Sequence, residues 1–148
     1  MQLVKEAVDI TKHFESCLLT SYQKKNDVPT IGWGSTYYKN GNRVKLGDTI
    51  TQTEADDLLM FIMNQTASTV KTLVKSNVSD NMFSALVDFA YNLGTDKLRK
   101  STLLKKVNTN PLDVSIRDEF MKWVYQAGII LPGLVKRRKA DADLYFTS

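Results

Sequence analysis

The apolar positions of this chain change period twice. Leu3, Ala7, Ile10 and Phe14 fall at helical spacing, which predicts a short first helix with Glu15 at or just past its end. From Leu18 to Ile50 the pattern breaks into short runs divided by turn residues: Lys25-Asn26-Asp27, Asn40-Gly41-Asn42 and Gly47-Asp48. Asn40-Gly41, between Tyr37-Tyr38 and Arg43-Val44-Lys45-Leu46, is a hairpin signal, and two or three short antiparallel strands are expected here.

After Ile50 the helical period returns. Thr51-Gln52-Thr53-Glu54 fits a capping box. Ala55, Leu58, Leu59, Ile62, Met63, Val70, Leu73 and Val74 then predict a long helix that ends near Lys75-Ser76-Asn77. A second helix is expected from about Ser79 to Leu93, closed by Gly94. It is apolar on most sides, so it should be a buried centre. Shorter helices should follow from Ser101 to Val107, Leu112 to Trp123 and Pro132 to Tyr145. Their breaks are Asn108-Thr109-Asn110-Pro111 and Gln126-Ala127-Gly128. The order helix, small sheet, helices gives an α+β fold.

Composition narrows the chemistry. One Cys and one His leave no intrachain disulfide and make a zinc site an unsuitable expectation. Met1-Gln2-Leu3-Val4-Lys5-Glu6 does not read as a signal peptide, and no apolar run approaches the length of a membrane span. Synthesis in a cytosol is expected, with release by a separate route. The net charge of +4 suits a polyanionic partner such as nucleic acid or an anionic wall. No nucleic-acid-binding motif accompanies it.

The stretch from Phe14 to Thr36 concentrates candidate chemistry. Glu15 lies beside Phe14, and a carboxyl group among apolar side chains keeps its proton more readily, as a general acid requires. The bland alternative is an ion-paired surface glutamate. Thr30, Gly32, Gly34, Ser35 and Thr36 can hold a water or a sugar hydroxyl where glycines permit close approach. Alternatively they form a bulged strand. Tyr91 and Asn92 suit either a sugar contact or the end of a core helix. Lys136, Arg137 and Arg138 can neutralise Glu15, bind an anionic polymer, or form a solvated basic face.

Several of these blocks, in order, resemble the phage-type lysozymes, glycoside hydrolase family 24. They are Glu15, Tyr22 and Pro29-Thr30-Ile31-Gly32-Trp33-Gly34-Ser35-Thr36; Val44-Lys45-Leu46-Gly47-Asp48-Thr49-Ile50-Thr51 with Glu54-Ala55; Phe89-Ala90-Tyr91-Asn92-Leu93-Gly94; Lys100-Ser101-Thr102-Leu103-Leu104; and Leu131-Pro132-Gly133-Leu134-Val135-Lys136-Arg137-Arg138. The resemblance runs from about Val4 to Tyr145. It implies one two-lobed lysozyme-like domain over residues 1–148. Residues 15–50 would form the β-containing lobe, and 51–148 with the first helix the helical lobe.

The resemblance also implies a monomeric, cofactor-free and metal-free muramidase acting on peptidoglycan glycan strands, an endolysin of phage or prophage type. Glu15 would be the general acid and Thr30 would hold the attacking water, with Gly34, Ser35, Tyr91 and Asn92 lining the substrate cleft. The family pattern is Glu, eight residues, Asp or sometimes Cys, five residues, Thr. Here the middle position is Lys24, so Asp27 is the candidate replacement carboxylate. Ser35 stands where the family commonly has His. The departure at Lys24 keeps two alternatives open: a single-glutamate lytic transglycosylase, and a disabled peptidoglycan-binding protein.

Overall fold

The computed structural model describes residues 1–24 and 27–148; Lys25 and Asn26, two of the expected turn residues, lie outside the described residues. The chain forms two units. One comprises Met1–Phe14 with Gln65–Ser148, and the other Glu15–Asn64.

The smaller unit, 15–64, contains the sheet. Strand β1 (Leu18–Tyr22) pairs antiparallel with β2 (Thr30–Gly32), placing Leu18 opposite Gly32 and Tyr22 opposite Thr30, with an irregularity between. Among the described residues of this unit, no third strand forms. The amide of Ser21 donates to the Asp48 carbonyl and that of Ile50 to the Leu19 carbonyl, leaving a single bridge between Thr20 and Thr49. The hairpin expected at Asn40-Gly41 is likewise reduced to one bridge, Tyr37 to Arg43, around Gly41 at φ +85°. Its second arm curls at once, because Asp48 Oδ2 accepts from the Lys45 amide and the Asp48 amide donates to the Lys45 carbonyl.

Helix α2 (Gln52–Leu73) begins with the expected capping box. The Thr51 amide donates to Glu54 Oε1 at 3.0 Å and the Glu54 amide to Thr51 Oγ1 at 3.1 Å. Residues 52–64 of this helix belong to the smaller unit and 65–73 to the larger.

In the larger unit, helix α1 (Lys5–Phe14) starts after Val4, later than its apolar pattern suggests. The amides of Gln2 and Val4 donate instead to Asp80 Oδ1 and Ser84 Oγ. Helix α3 (Asp80–Leu93) is capped by the Ser79 hydroxyl and ends at Gly94, φ +97°. Every residue from Phe83 to Ala90 is buried, so the helix is the expected centre. Around it lie α4 (Thr95–Lys100), α5 (Thr102–Thr109), α6 (Ile116–Met121), a hairpin of β3 (Tyr125–Gln126) and β4 (Ile129–Ile130), and α7 (Pro132–Tyr145). The ring of Phe89 meets Trp123 and Phe120 edge-on at 5.4 and 6.0 Å between centroids.

The basic run on α7 departs from a solvated face. Lys136 is exposed, but Arg137 and Arg138 are 3% and 0% exposed. Arg137 grips Asp88 of α3 with Nε and Nη2, at 3.1 and 2.8 Å, and Thr11 of α1 donates to the same carboxylate at 2.6 Å. Arg138 donates to Asn92 Oδ1 and stacks over Phe89, 5.2 Å from its centroid. Burial removes both arginines from any surface site for an anionic polymer.

Asp141, also on α7, is fully buried, and among the described residues no donor reaches either of its oxygens within hydrogen-bond distance. The Arg138 Nη1 atom lies 3.6 Å away. Burial, then the charge of Asp88, pushes the Asp141 carboxyl well above the usual range. Burial works against Asp88 too, but the neighbouring Asp141 carboxyl and the bonds from Arg137 and Thr11 outweigh it and hold that carboxyl low.

Candidate active site

Glu15 directly follows the last residue of α1, where the chain leaves the helix, and its side chain is half-buried. Its neighbour is Gly34. A Cβ on Gly34 would lie 3.2 Å from both Glu15 carboxylate oxygens, and Gly34 has φ +90°. The backbone conformation favours glycine, and a Cβ would also crowd the Glu15 carboxylate. Gly32, at φ +60°, makes its close approach elsewhere: a Cβ there would meet Ala55 and Ile50 at 3.5 Å.

The tip between these glycines is held at both ends. Ile31 and Ser35 exchange backbone hydrogen bonds, each at 2.9 Å. Trp33 is half-buried, and its Nε1 donates to Asp56 Oδ1 at 2.8 Å. Gln52 Nε2 donates to the same oxygen at 3.0 Å, so the tip is fastened to the first turns of α2.

Ser35 corrects one expectation. Its side chain is 3% exposed and its hydroxyl has no hydrogen-bond partner among the described residues, so its Oγ is not presented to a sugar. Its contribution is the backbone pair with Ile31. Thr30 is half-exposed at the start of β2, and its hydroxyl donates to the Val28 carbonyl at 3.1 Å.

Tyr22, opposite Thr30 in the hairpin register, ties these groups together. Its phenol is pushed up by burial, then by the negative charges of Glu15 and Asp27. Both carboxylates thus act on one side chain. Sequence reasoning gave Tyr22 no role; the signal that could have found it is its position, cross-strand from Thr30. Asp27 and Lys24 are exposed in the turn joining the strands. There the Asp27 amide donates to the Lys24 carbonyl at 3.0 Å, and Gln23 Nε2 donates to the Asp27 carbonyl at 2.8 Å.

The smaller unit therefore gathers Glu15, Gly34, Tyr22, Thr30 and Asp27. Tyr91 and Asn92 belong to the larger unit, on α3, both half-buried, with the Asn92 carbonyl oxygen engaged by Arg138. Among the described residues no group of three or more His, Cys, Asp or Glu side chains could hold a metal ion, and no helix is long and apolar enough to cross a membrane. A carboxyl group seated on a bare glycine is the kind of group that acid–base attack on an acetal bond uses.

Known proteins share this architecture and its sequence. The endolysin of Acyrthosiphon pisum secondary endosymbiont phage 1 is 32% identical over 149 residues, covering 98% of each chain. The solved endolysin from Escherichia coli O157:H7 phage FAHEc1 superposes with a TM-score of 0.88 at 31% identity, over 99% of this chain and 94% of that one. The muramidase domain of SpmX from Asticaccaulis excentricus superposes with a TM-score of 0.86 at 26% identity, over 99% of both. The family model described as phage lysozyme matches residues 12–141. With that match over most of its length and an endolysin relative spanning nearly all of it, the chain belongs to the phage lysozyme family.

Proposed function

We propose that this phage lysozyme hydrolyses the β-1,4 bond between N-acetylmuramic acid and N-acetylglucosamine in peptidoglycan. The protein is a glycoside hydrolase that degrades the cell wall, in line with its endolysin and muramidase relatives. The observation that carries the catalytic assignment is the Glu15 carboxylate seated against the Cα of Gly34. Glu15 gives its proton to the leaving sugar oxygen. Thr30 holds the attacking water. Tyr91 and Asn92 contact the glycan from α3, and Gly34 gives it room near Glu15.

Lys24 has the wrong sign for the charge that develops on the sugar. At an effective dielectric of ~20, one unit charge a few Å away is worth about 2–4 kcal/mol. Asp27 takes over that role in this reading, supported by the shared influence of Glu15 and Asp27 on Tyr22.

The test is release of reducing ends from purified peptidoglycan. Glu15→Gln should lower the rate by at least about 100-fold with the fold intact, since the amide cannot donate the proton. Undiminished release would remove Glu15 from the mechanism. Asp27→Asn should abolish wild-type activity yet matter little once Lys24→Asp has restored a carboxylate at position 24. Lys24 also favours a second reading, a transglycosylase that needs only Glu15. Anhydromuramic product ends, with no response to Lys24→Asp or Asp27→Asn, would establish it in place of hydrolysis.

A further inference from the structure

Away from Glu15, Thr30 and Asp27, the smaller unit carries a pocket of about 320 Å³ between the 38–43 turn and the first turns of α2. Leu58, Ile50 and the ring of Tyr38 supply its apolar lining. Glu54 and Asp57 stand on its rim, three residues apart and therefore on one face of α2. Glu54 spends Oε1 on the Thr51 amide, and Asp57 has no hydrogen bond or ion pair among the described residues. The cation of the rim, Lys39, sits 5.9 Å from the ring centroid of Phe61.

Tyr38 is also a wall of a second pocket, of about 390 Å³, where Arg43 and Lys45 bring positive charge beside the Asp48 carboxylate. The Tyr38 hydroxyl donates to Asp48 Oδ2 at 2.7 Å, which fixes the ring between the two pockets. Burial and this bond push its phenol up to about 12, so the ring carries no charge of its own at neutral pH.

One aromatic ring therefore lines both a pocket with two carboxylates and Lys39, of net negative charge, and a pocket with two cations and Asp48, of net positive charge. A polyanion meets repulsion at Glu54 and Asp57, and a glycan offers no charge for either side. A metal ion finds only two carboxylates beside Lys39, short of the oxygen shell that a hard cation needs. A short zwitterion matches both sides, with its ammonium at Glu54 and Asp57 and its carboxylate toward Arg43 and Lys45. The volume lies at the small end of the range for ligand pockets, about 300–1,000 Å³, which suits a head group of one or two residues.

We infer that this paired pocket is a secondary wall-binding site for the amine-bearing end of a peptidoglycan stem peptide, a zwitterionic diamino-acid peptide. The assignment of the ligand rests on the wall-degrading reading above. Asp57 and Glu54 hold the free amine, Tyr38 packs against the peptide body, and Arg43 and Lys45 take the terminal carboxylate. The site would hold the protein on the wall through peptides while the Glu15 set acts on glycan.

The test is an NMR titration of the full chain with L-lysyl-D-alanine at low salt, beside the same dipeptide with both amines acetylated. The inference expects millimolar binding, with amide shifts centred on Tyr38, Lys39, Arg43, Asp57 and Leu58. Acetylation, Asp57→Asn, and Glu54→Gln (which keeps the capping geometry) should each weaken binding by about threefold, the scale of an exposed ion pair. Shifts centred on Tyr22 and Thr30, no shifts at these amides, or equal binding of the acetylated peptide would overturn it. Peptide binding by a protein that releases no reducing ends would sink the hydrolase reading and leave the pocket standing. Hydrolysis without peptide binding would overturn the pocket alone.

Discussion

The two units handle charge in opposite ways. In the larger unit Asp88, Asp141, Arg137 and Arg138 are sealed inside, and they join α3 to α7 and, through Thr11, to α1. In the smaller unit most charges stay at the surface, and several are satisfied by nearby backbone: Glu54 by the Thr51 amide, Asp48 by the Lys45 amide. A buried pair cannot fall back on water when one partner goes, whereas an exposed group can. The larger unit is thus suited to holding a fixed arrangement. The smaller one can change its charges at low cost, which suits the part that carries the candidate chemistry.

The comparison breaks most readily at Asp88. Asp88→Asn should cost about 3–5 kcal/mol, because Arg137 is left buried without its counter-charge. A midpoint in urea unchanged from wild type would show that the buried lattice is not what holds α3 to α7. An intermediate effect is expected at Gly34, where the smaller unit is least forgiving. Gly34→Ala should cost about 1–2 kcal/mol for the left-handed backbone. It should also cut wall degradation more than it cuts stability, since its Cβ displaces the Glu15 carboxylate. Equal activity per folded molecule would mean that the contact does not position Glu15.

The smallest change in stability is expected at Asp141. Asp141→Asn keeps the shape of a side chain that has no hydrogen-bond partner among the described residues, so near pH 5 the stability should change by less than about 1 kcal/mol. The effect lies in the pH profile. Asp141 is raised in the folded state, so its contribution is full below the unfolded value of about 3.9 and is lost as pH rises toward the folded one. Asp88 is lowered, so its contribution is present above about 3.9 and lost as pH falls through its folded value. The variant should flatten the alkaline side of the profile and leave the acid side. A profile unchanged on both sides would mean that Asp141 carries no proton in the fold.

How much of this was legible depended on how far apart the cooperating residues lie. Ser79, Gly94 and Pro132 marked helix ends by local chemistry, and those ends stand where expected. Helix α6 is shorter than its pattern because Asn110 and Asp113 turn their side chains onto the amides of Leu112 and Ser115, holding that stretch out of the helix. Helix α4 went unread because Leu98 is its one buried residue, too little to show a period. The β3–β4 hairpin read as a break because Ala127, not Asn or Gly, takes the first positive φ of its turn, at +50°.

The site divides along the same line. The Glu15–Gly34 contact was foreshadowed by the glycine spacing and the family resemblance. Tyr22 needed the strand register. The burial of Arg137 needed Asp88, 49 residues away, and nothing local to α7 distinguishes it from the exposed Lys136.

The fastening of Trp33 and Gln52 to Asp56 bears on how such an enzyme can be altered. It gives the glycine tip a rigid mounting on α2, while positions 23, 24, 27 and 28 sit in a turn whose described bonds are local. On the proposed mechanism, a mutational library confined to those four positions would search for new placements of the second carboxylate, and the described bonds that hold the tip do not run through them. Lys24 is then expected to be a replaceable part, since its described bond stays within the turn and the tip is held from α2.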